Sequence, residues 1–283
     1  MTVKTSTGLD ELRTQLPEIL AEADYNEVYG VTLSISSTIA SDNILQKYLR
    51  ANANDVAKAR TQLLETLKWR KSYQPRALVN ASFSRSKFGG LGFVTGGGSS
   101  PVATFNIYGA VAANTEATDR AFGDIDEFLR WRVALMERTI DRLNLANATI
   151  HVPNYGEGPD PFQAIQVHDY KGVSFFKQNP KVRAASHQAI ALFSANYPET
   201  MSRKFFVNVP YVMAWLFAAI KLLMSTETAK KLTMLSSASI LYAELESDDK
   251  DGLIRNSMPT EYGGSAKPLV DIGESVIFNE DEN

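Results

Sequence analysis

Near residue 90 the hydrophobic period of the chain changes, and that change limits the folds open to it more than any other feature. Before it, apolar residues recur at three and four: Leu45, Tyr48 and Leu49, then Val56, Ala59, Leu63, Leu64 and Leu67. This is the stripe of amphipathic helices. Residues 8–73 are therefore read as helical, with Ser41 or Asp42 capping one helix and Asn54 or Asp55 the next. No strand alternation is expected before residue 90. Beyond it, β-rich runs at 91–95 and 102–109 flank Gly96-Gly97-Gly98-Ser99-Ser100, a hairpin or a loose strand connection. A helix is expected over 124–144 and a strand over 164–170. Asn179-Pro180 then opens a helix as cap and first helical residue. A strand at 205–209, the apolar helix after it, a helix near 228–231 and a strand around 232–236 complete the alternation. Strands interleaved with helices imply a mixed α/β sheet flanked by helices. Residues 246–258 read as a solvated connection and 278–283 as an acidic tail.

Several function classes fall away. The 283 residues carry a net charge of −3, so binding nucleic acid through phosphate neutralisation is not expected. With no cysteine there is no disulfide framework, thiolate metal site or cysteine nucleophile. The polar stretch 1–10 lacks an apolar signal core, which makes the cytosol the expected compartment. The longest apolar run, residues 209–220, is far short of the roughly 20 residues that span a bilayer. The glycines at 89–98 do not fit GxxxxGK[ST] and do not lead from a strand into a helix. No serine sits in a GxSxG elbow, and His151, His168 and His187 are too scattered to suggest zinc. An enzyme is not expected.

Two segments stand out. On a strand, His168 and Tyr170 share one face and Asp169 takes the other. With Ile165 and Val167 against packed helices, the imidazole and phenol point away from that layer. They are either a hydrogen-bonded core pair or the wall of a site for a polar or metallic ligand. Residues 211–224, with Trp215, Phe217, Leu222 and Leu223, are apolar on every face. Such a helix is either buried or meets a hydrophobic ligand or membrane part of the time; Lys204 and Lys221 flank it.

The stretch LQKYLRANANDVAKARTQLLETLKWRKSY (45–73) resembles the N-terminal signature of CRAL-TRIO proteins. VHDYKGVS (167–174), NYPETMSRKFFVNVP (196–210), TETAKKL (226–232) and MPTEYGGS (258–265) resemble the same family in the same order. The resemblance implies an N-terminal helical lobe (1–75), a lipid-binding lobe (76–270) with a mixed sheet as floor and 211–224 as hydrophobic gate, and an acidic tail (271–283). In phosphatidylinositol-transfer members the inositol phosphate is held by residues matching Glu199, Thr228 and Lys231. An arginine those members use is Asn52 here, which removes a bidentate phosphate donor. The His168-Asp169-Tyr170 segment is similar to a narrower fungal subgroup that binds haem. That likeness implies ferric haem b with Tyr170 as iron ligand, His168 close by, and Tyr108, Arg132 and Lys204 completing the site. It implies a role in oxidant stress, transient contact with membranes such as the endoplasmic reticulum, and binding or transfer of phosphatidylinositol. A phosphatidylinositol carrier without haem and a lipid-dependent adaptor are the alternatives.

Overall fold

The computed structural model describes residues 7–112, 114–173, 179–213 and 229–279. The N-terminal part is built on three helices: α1 (Gly8–Ala23), α2 (Ile39–Ala51) and α3 (Val56–Tyr73). Thr7 and Asp10 cap α1 reciprocally, and Asp55 caps α3 through the amide of Lys58. The cap of α2 is Thr38, three residues before Ser41 and four before Asp42, the two expected caps. Asp42 is instead engaged by Arg13 and Ser37. The leucines at 45, 49, 63, 64 and 67 are buried in one cluster with Leu12, Leu16 and Ile19 of α1.

Strands do occur before residue 90, contrary to expectation. β1 (Glu27–Val28) and β2 (Val31–Thr32) form an antiparallel hairpin, and β3 (Ser82–Ser84) lies between α3 and a short helix α4 (Arg85–Phe88). Two or three residues are too few to display alternation. The hairpin is legible only from its turn, where Tyr29 and Gly30 both take positive φ.

The main sheet has five strands in the order β4 (Gly92–Gly97), β5 (Ser100–Ile107), β6 (Ala164–Asp169), β7 (Met201–Val207) and β8 (Leu232–Met234). β4 and β5 form the expected hairpin and pair antiparallel; the remaining pairs are parallel. Gly96, Gly97 and Gly98 take positive φ in its turn, and a Cβ on Gly96 would lie 2.0 Å from the carbonyl oxygen of Pro101. The glycine cluster therefore serves chain reversal, not a phosphate. Helices α5 (Gly109–Ala112), α6 (Thr115–Phe122) and α7 (Ile125–Leu143) follow β5, and α8 (Pro180–Asn196) joins β6 to β7. Asp124 caps α7, and Asn179-Pro180 opens α8 as read.

The two faces of the sheet are chemically distinct. Ala103 and Phe105 of β5, Ile165 and Val167 of β6, and Phe205 and Val207 of β7 form a dry cluster with Leu235, Leu241, Leu245 and Tyr262. The intervening residues, Asn106, Gln166, His168, Lys204 and Phe206, belong to the opposite face. Residues 246–258, expected as a solvated connection, contain a 3-10 turn (Glu246–Asp248) and a helix α9 (Leu253–Ser257); Leu245 and Met258 at the edges of the segment anchor it to the dry cluster. The segment expected as a tail is ordered through Asn279. A short helix α10 (Leu269–Ile272) leads to β9 (Ile277–Asn279), which pairs in parallel with β3. Of the apolar stretch 211–224, the 3-10 turn Tyr211–Met213 is described. The rest of the expected gate, and Thr228, lie outside the described residues.

Candidate functional site

The polar face of the sheet is the floor of a cavity of about 1140 Å³. Register aligns Asn106, His168 and Phe206 across β5, β6 and β7, and Thr104, Gln166 and Lys204 in the next polar row. His168 and Lys204 are therefore diagonal neighbours on the floor. Tyr170, one residue past β6, lines the same cavity, as does Tyr108 just past β5. Their backbones are tied to the sheet: the Tyr108 amide donates to Asp169 O and the Tyr170 amide to Val207 O. Gly109 lets these chain ends approach, since a Cβ there would lie 2.1 Å from Lys171 O. One wall comes from α7, whose Phe128, Arg132 and Met136 recur every four residues as a single stripe. Another comes from α8, through Ala189, Ile190 and Phe193.

All five residues inferred for the inner site thus line one cavity. The ring centroids of Tyr108 and Tyr170 are 5.4 Å apart, and those of Tyr108 and His168 5.7 Å. Burial, reinforced by the charges of Lys204 and Arg132, holds the His168 imidazole well below its ordinary pKa, so it is neutral at pH 7. Its Nε2 is buried and has no hydrogen-bond partner among the described residues. Burial and the neighbouring Tyr108 push the Tyr170 phenol up, while Arg132 pulls it down; it stays protonated near neutrality unless a cation binds it. Arg132 is buried, its Nη1 donates to Asn106 Oδ1, and its guanidinium lies 5.5 Å from the Phe193 ring. Lys204 Nζ lies 5.4 Å from the Phe206 ring; burial, and behind it Arg132, lower its pKa to about 8. Neither cation forms an ion pair with a carboxylate among the described residues. Asn106 and Gln166 were not anticipated; the polar alternation along β5 and β6 is the pattern that marks them.

At the cavity mouth stands a second cluster. Glu199, in a left-handed backbone conformation (φ 52°), accepts from Lys231 Nζ at 3.2 Å and from Gln163 Nε2 at 2.9 Å, with Arg50 Nε at 3.6 Å. Asn52 also lines the mouth and donates to Tyr48 O and Gln62 Oε1. The guanidinium near Glu199 therefore comes from Arg50, two residues before Asn52, and it is also bonded to the carbonyls of Pro153, Asn154 and Gly158.

A helical lobe beside a sheet whose polar face floors a large cavity can be compared with known proteins. The CRAL/TRIO domain model matches residues 110–264 and the CRAL/TRIO N-terminal domain model residues 8–65. The chain belongs to the CRAL/TRIO family. Among CRAL/TRIO relatives, the phosphatidylinositol transfer protein SFH5 of Phaeosphaeria nodorum is 47% identical over 266 residues, 92% of this chain and 76% of that protein. The protein of the same name from Sclerotinia sclerotiorum is 46% identical, over 99% of this chain and 67% of its own length. For that from Botryotinia fuckeliana the identity is 45%, over 99% and 62%. Among solved CRAL/TRIO structures, the crystal structure of Sfh5 superposes with a TM-score of 0.75 at 25% identity, covering 95% of this chain and 90% of that one.

Proposed function

We propose that this CRAL/TRIO protein is a carrier whose cavity takes ferric haem b, with Tyr170 as the iron ligand. The observation that carries the reading is the company the two phenols keep. Tyr108, Tyr170 and a neutral His168 share a cavity with two cations that meet no carboxylate in an ion pair among the described residues. The donor set fits the group. A ferric porphyrin core and one phenolate cancel in charge, and two propionates balance the guanidinium of Arg132 and the ammonium of Lys204. Tyrosine ligation of haem iron has precedent in catalase. The buried Nε2 of His168 is a polar atom without a hydrogen-bond partner among the described residues.

Bound haem would supply a Lewis-acidic, redox-active iron, consistent with a role in handling haem under oxidant stress. The chain's own part is to exclude water through Phe128, Met136 and Phe193, to present the Tyr170 phenol to the cavity, where a bound cation would take the place of its proton, and to offer two cations to acidic groups. Protein purified from haem-replete cells should be red-brown with a high-spin ferric spectrum, and Tyr170→Phe should abolish its charge-transfer band. Colourless protein, or an unaltered spectrum in Tyr170→Phe, sinks the reading.

A second reading, favoured by the ion cluster at the mouth and by the names of the relatives, is phosphatidylinositol transfer between membranes, at the cytoplasmic face of the endoplasmic reticulum or elsewhere. Glu199 and Lys231 would hold the headgroup, with Thr228 as a further contact. Transfer of labelled phosphatidylinositol between vesicles should fall at least tenfold in Glu199→Ala/Lys231→Ala. Unchanged transfer would remove these residues from the headgroup site.

A further inference from the structure

The cations of the inner cavity can be separated from the iron. Arg132 is about nine-tenths buried, and with the partly exposed Lys204 it lines the same cavity. Among the described residues that line the cavity, Glu199 is the sole carboxylate, and it is occupied at the other end by Lys231, Gln163 and Arg50. Cations taken out of water without a counter-charge destabilise a fold by several kcal/mol. Here burial lowers the proton affinity of both groups, and the charge of Arg132 lowers that of Lys204 further. Packing alone would favour apolar side chains of the same volume at these positions, so their presence calls for an anion that the described residues do not supply.

We infer that the inner end of the cavity is a carboxylate-binding site in its own right, made by Arg132 and Lys204 and aided by His168, for an amphipathic acid with or without a metal. This goes beyond the haem reading, because it holds whether or not Tyr170 ligates iron. The rings of Phe193 and Phe206 lie against the two cations and keep them at the wall. Phe128, Met136 and Ala189 surround the same space and suit an apolar body. The guanidinium offers a planar fork to a carboxylate. The neutral imidazole carries one N–H, and its buried Nε2, without a partner among the described residues, is placed to serve an oxygen. A metal-free porphyrin dicarboxylate and a long-chain fatty acid share this chemistry.

The test uses the full chain stripped of bound ligand and contains no iron. Metal-free protoporphyrin is titrated against its dimethyl ester, and oleic acid against methyl oleate. At least one acid should bind tenfold or more tightly than its ester. Arg132→Met/Lys204→Met should remove that preference while the ester still binds, which shows that the variant is folded. Preference in the porphyrin pair alone assigns the site to a tetrapyrrole acid, and preference in the oleate pair alone to a fatty acid. Acids and esters that bind within twofold of each other in both pairs overturn the inference, as does a double variant that keeps the preference. A ferric spectrum indifferent to Tyr170 would sink the haem reading and leave this one standing.

Discussion

Lys204 is the residue at which site and stability pull apart. Its ammonium is partly buried beside Arg132, and His168, the diagonal neighbour on β6, is neutral and cannot compensate. Its pKa in the folded protein is about 8, against an ordinary 10.5. Between those values the unfolded chain holds more protons than the folded one, so this residue's contribution to stability rises with pH across that window. Lys204→Met should therefore stabilise the ligand-free protein at pH 7 by about 1–3 kcal/mol, and the advantage should shrink by pH 10. Urea unfolding of both proteins at the two pH values checks this; a less stable variant at pH 7 refutes it. The pairing of His168 with Tyr170 was legible because strand alternation places i and i+2 on one face. The burial of Arg132 was not, since a lone cation on a helix is ordinarily solvated. Its membership of the Phe128–Arg132–Met136 stripe was the available hint.

At the scale of elements, the end of β6 is held from the side of the sheet away from the cavity. Asp169 Oδ1 accepts from Asn208 Nδ2 at 2.7 Å and from the Lys171 amide at 2.9 Å, while Oδ2 accepts from the Tyr262 hydroxyl at 3.1 Å. Asn208 itself takes a left-handed backbone conformation and accepts from the Ala238 amide. The dry layer thereby fixes the point from which Tyr170 enters the cavity. Tyr262→Phe removes one hydrogen bond to a buried carboxylate and should cost about 1–3 kcal/mol. A loss below about 0.5 kcal/mol in chemical denaturation would show that Asn208 and Lys171 suffice. The strands from β4 to β7 and the helices α7 and α8 were readable because each is long enough to show its period or carries a cap, and β8 followed from its place in the alternation. β1, β2, β3 and β9 were not, because they are two or three residues long, stand outside the alternation and are defined by their partners. The same holds for 246–258, whose polar composition hides the apolar residues at its ends that fasten it down.

Across the whole molecule, two buried ionic clusters join the N-terminal helices to the sheet-bearing part, and they bracket one cavity-lining turn. Arg70 of α3 donates to Glu137 of α7, which also accepts from the Tyr197 hydroxyl at 2.6 Å. Lys47 of α2 donates to Asp160 Oδ2 at 2.6 Å and to the carbonyls of Phe162 and Glu199 at 2.8 Å. The residues between them, Tyr197 to Glu199, line the cavity mouth. The division into helical and alternating regions could be read from periodicity, but these clusters could not. Lys47 and Asp160 are separated by 113 residues, and each alone looks like a surface charge. Lys47→Met strands a buried aspartate and should cost about 3–5 kcal/mol, whereas Lys47→Met/Asp160→Leu should recover most of that loss, because an apolar pair can replace a buried ion pair. What the double variant cannot restore is the donor to the Glu199 carbonyl, which holds that residue at φ 52°. If the lysine positions Glu199 as well as supporting the fold, the double variant will be nearly as stable as the parent yet transfer phosphatidylinositol several-fold more slowly. Equal stability with equal transfer would reduce the cluster to a structural brace, and the geometry of the mouth would then have to be set by Lys231, Gln163 and Arg50.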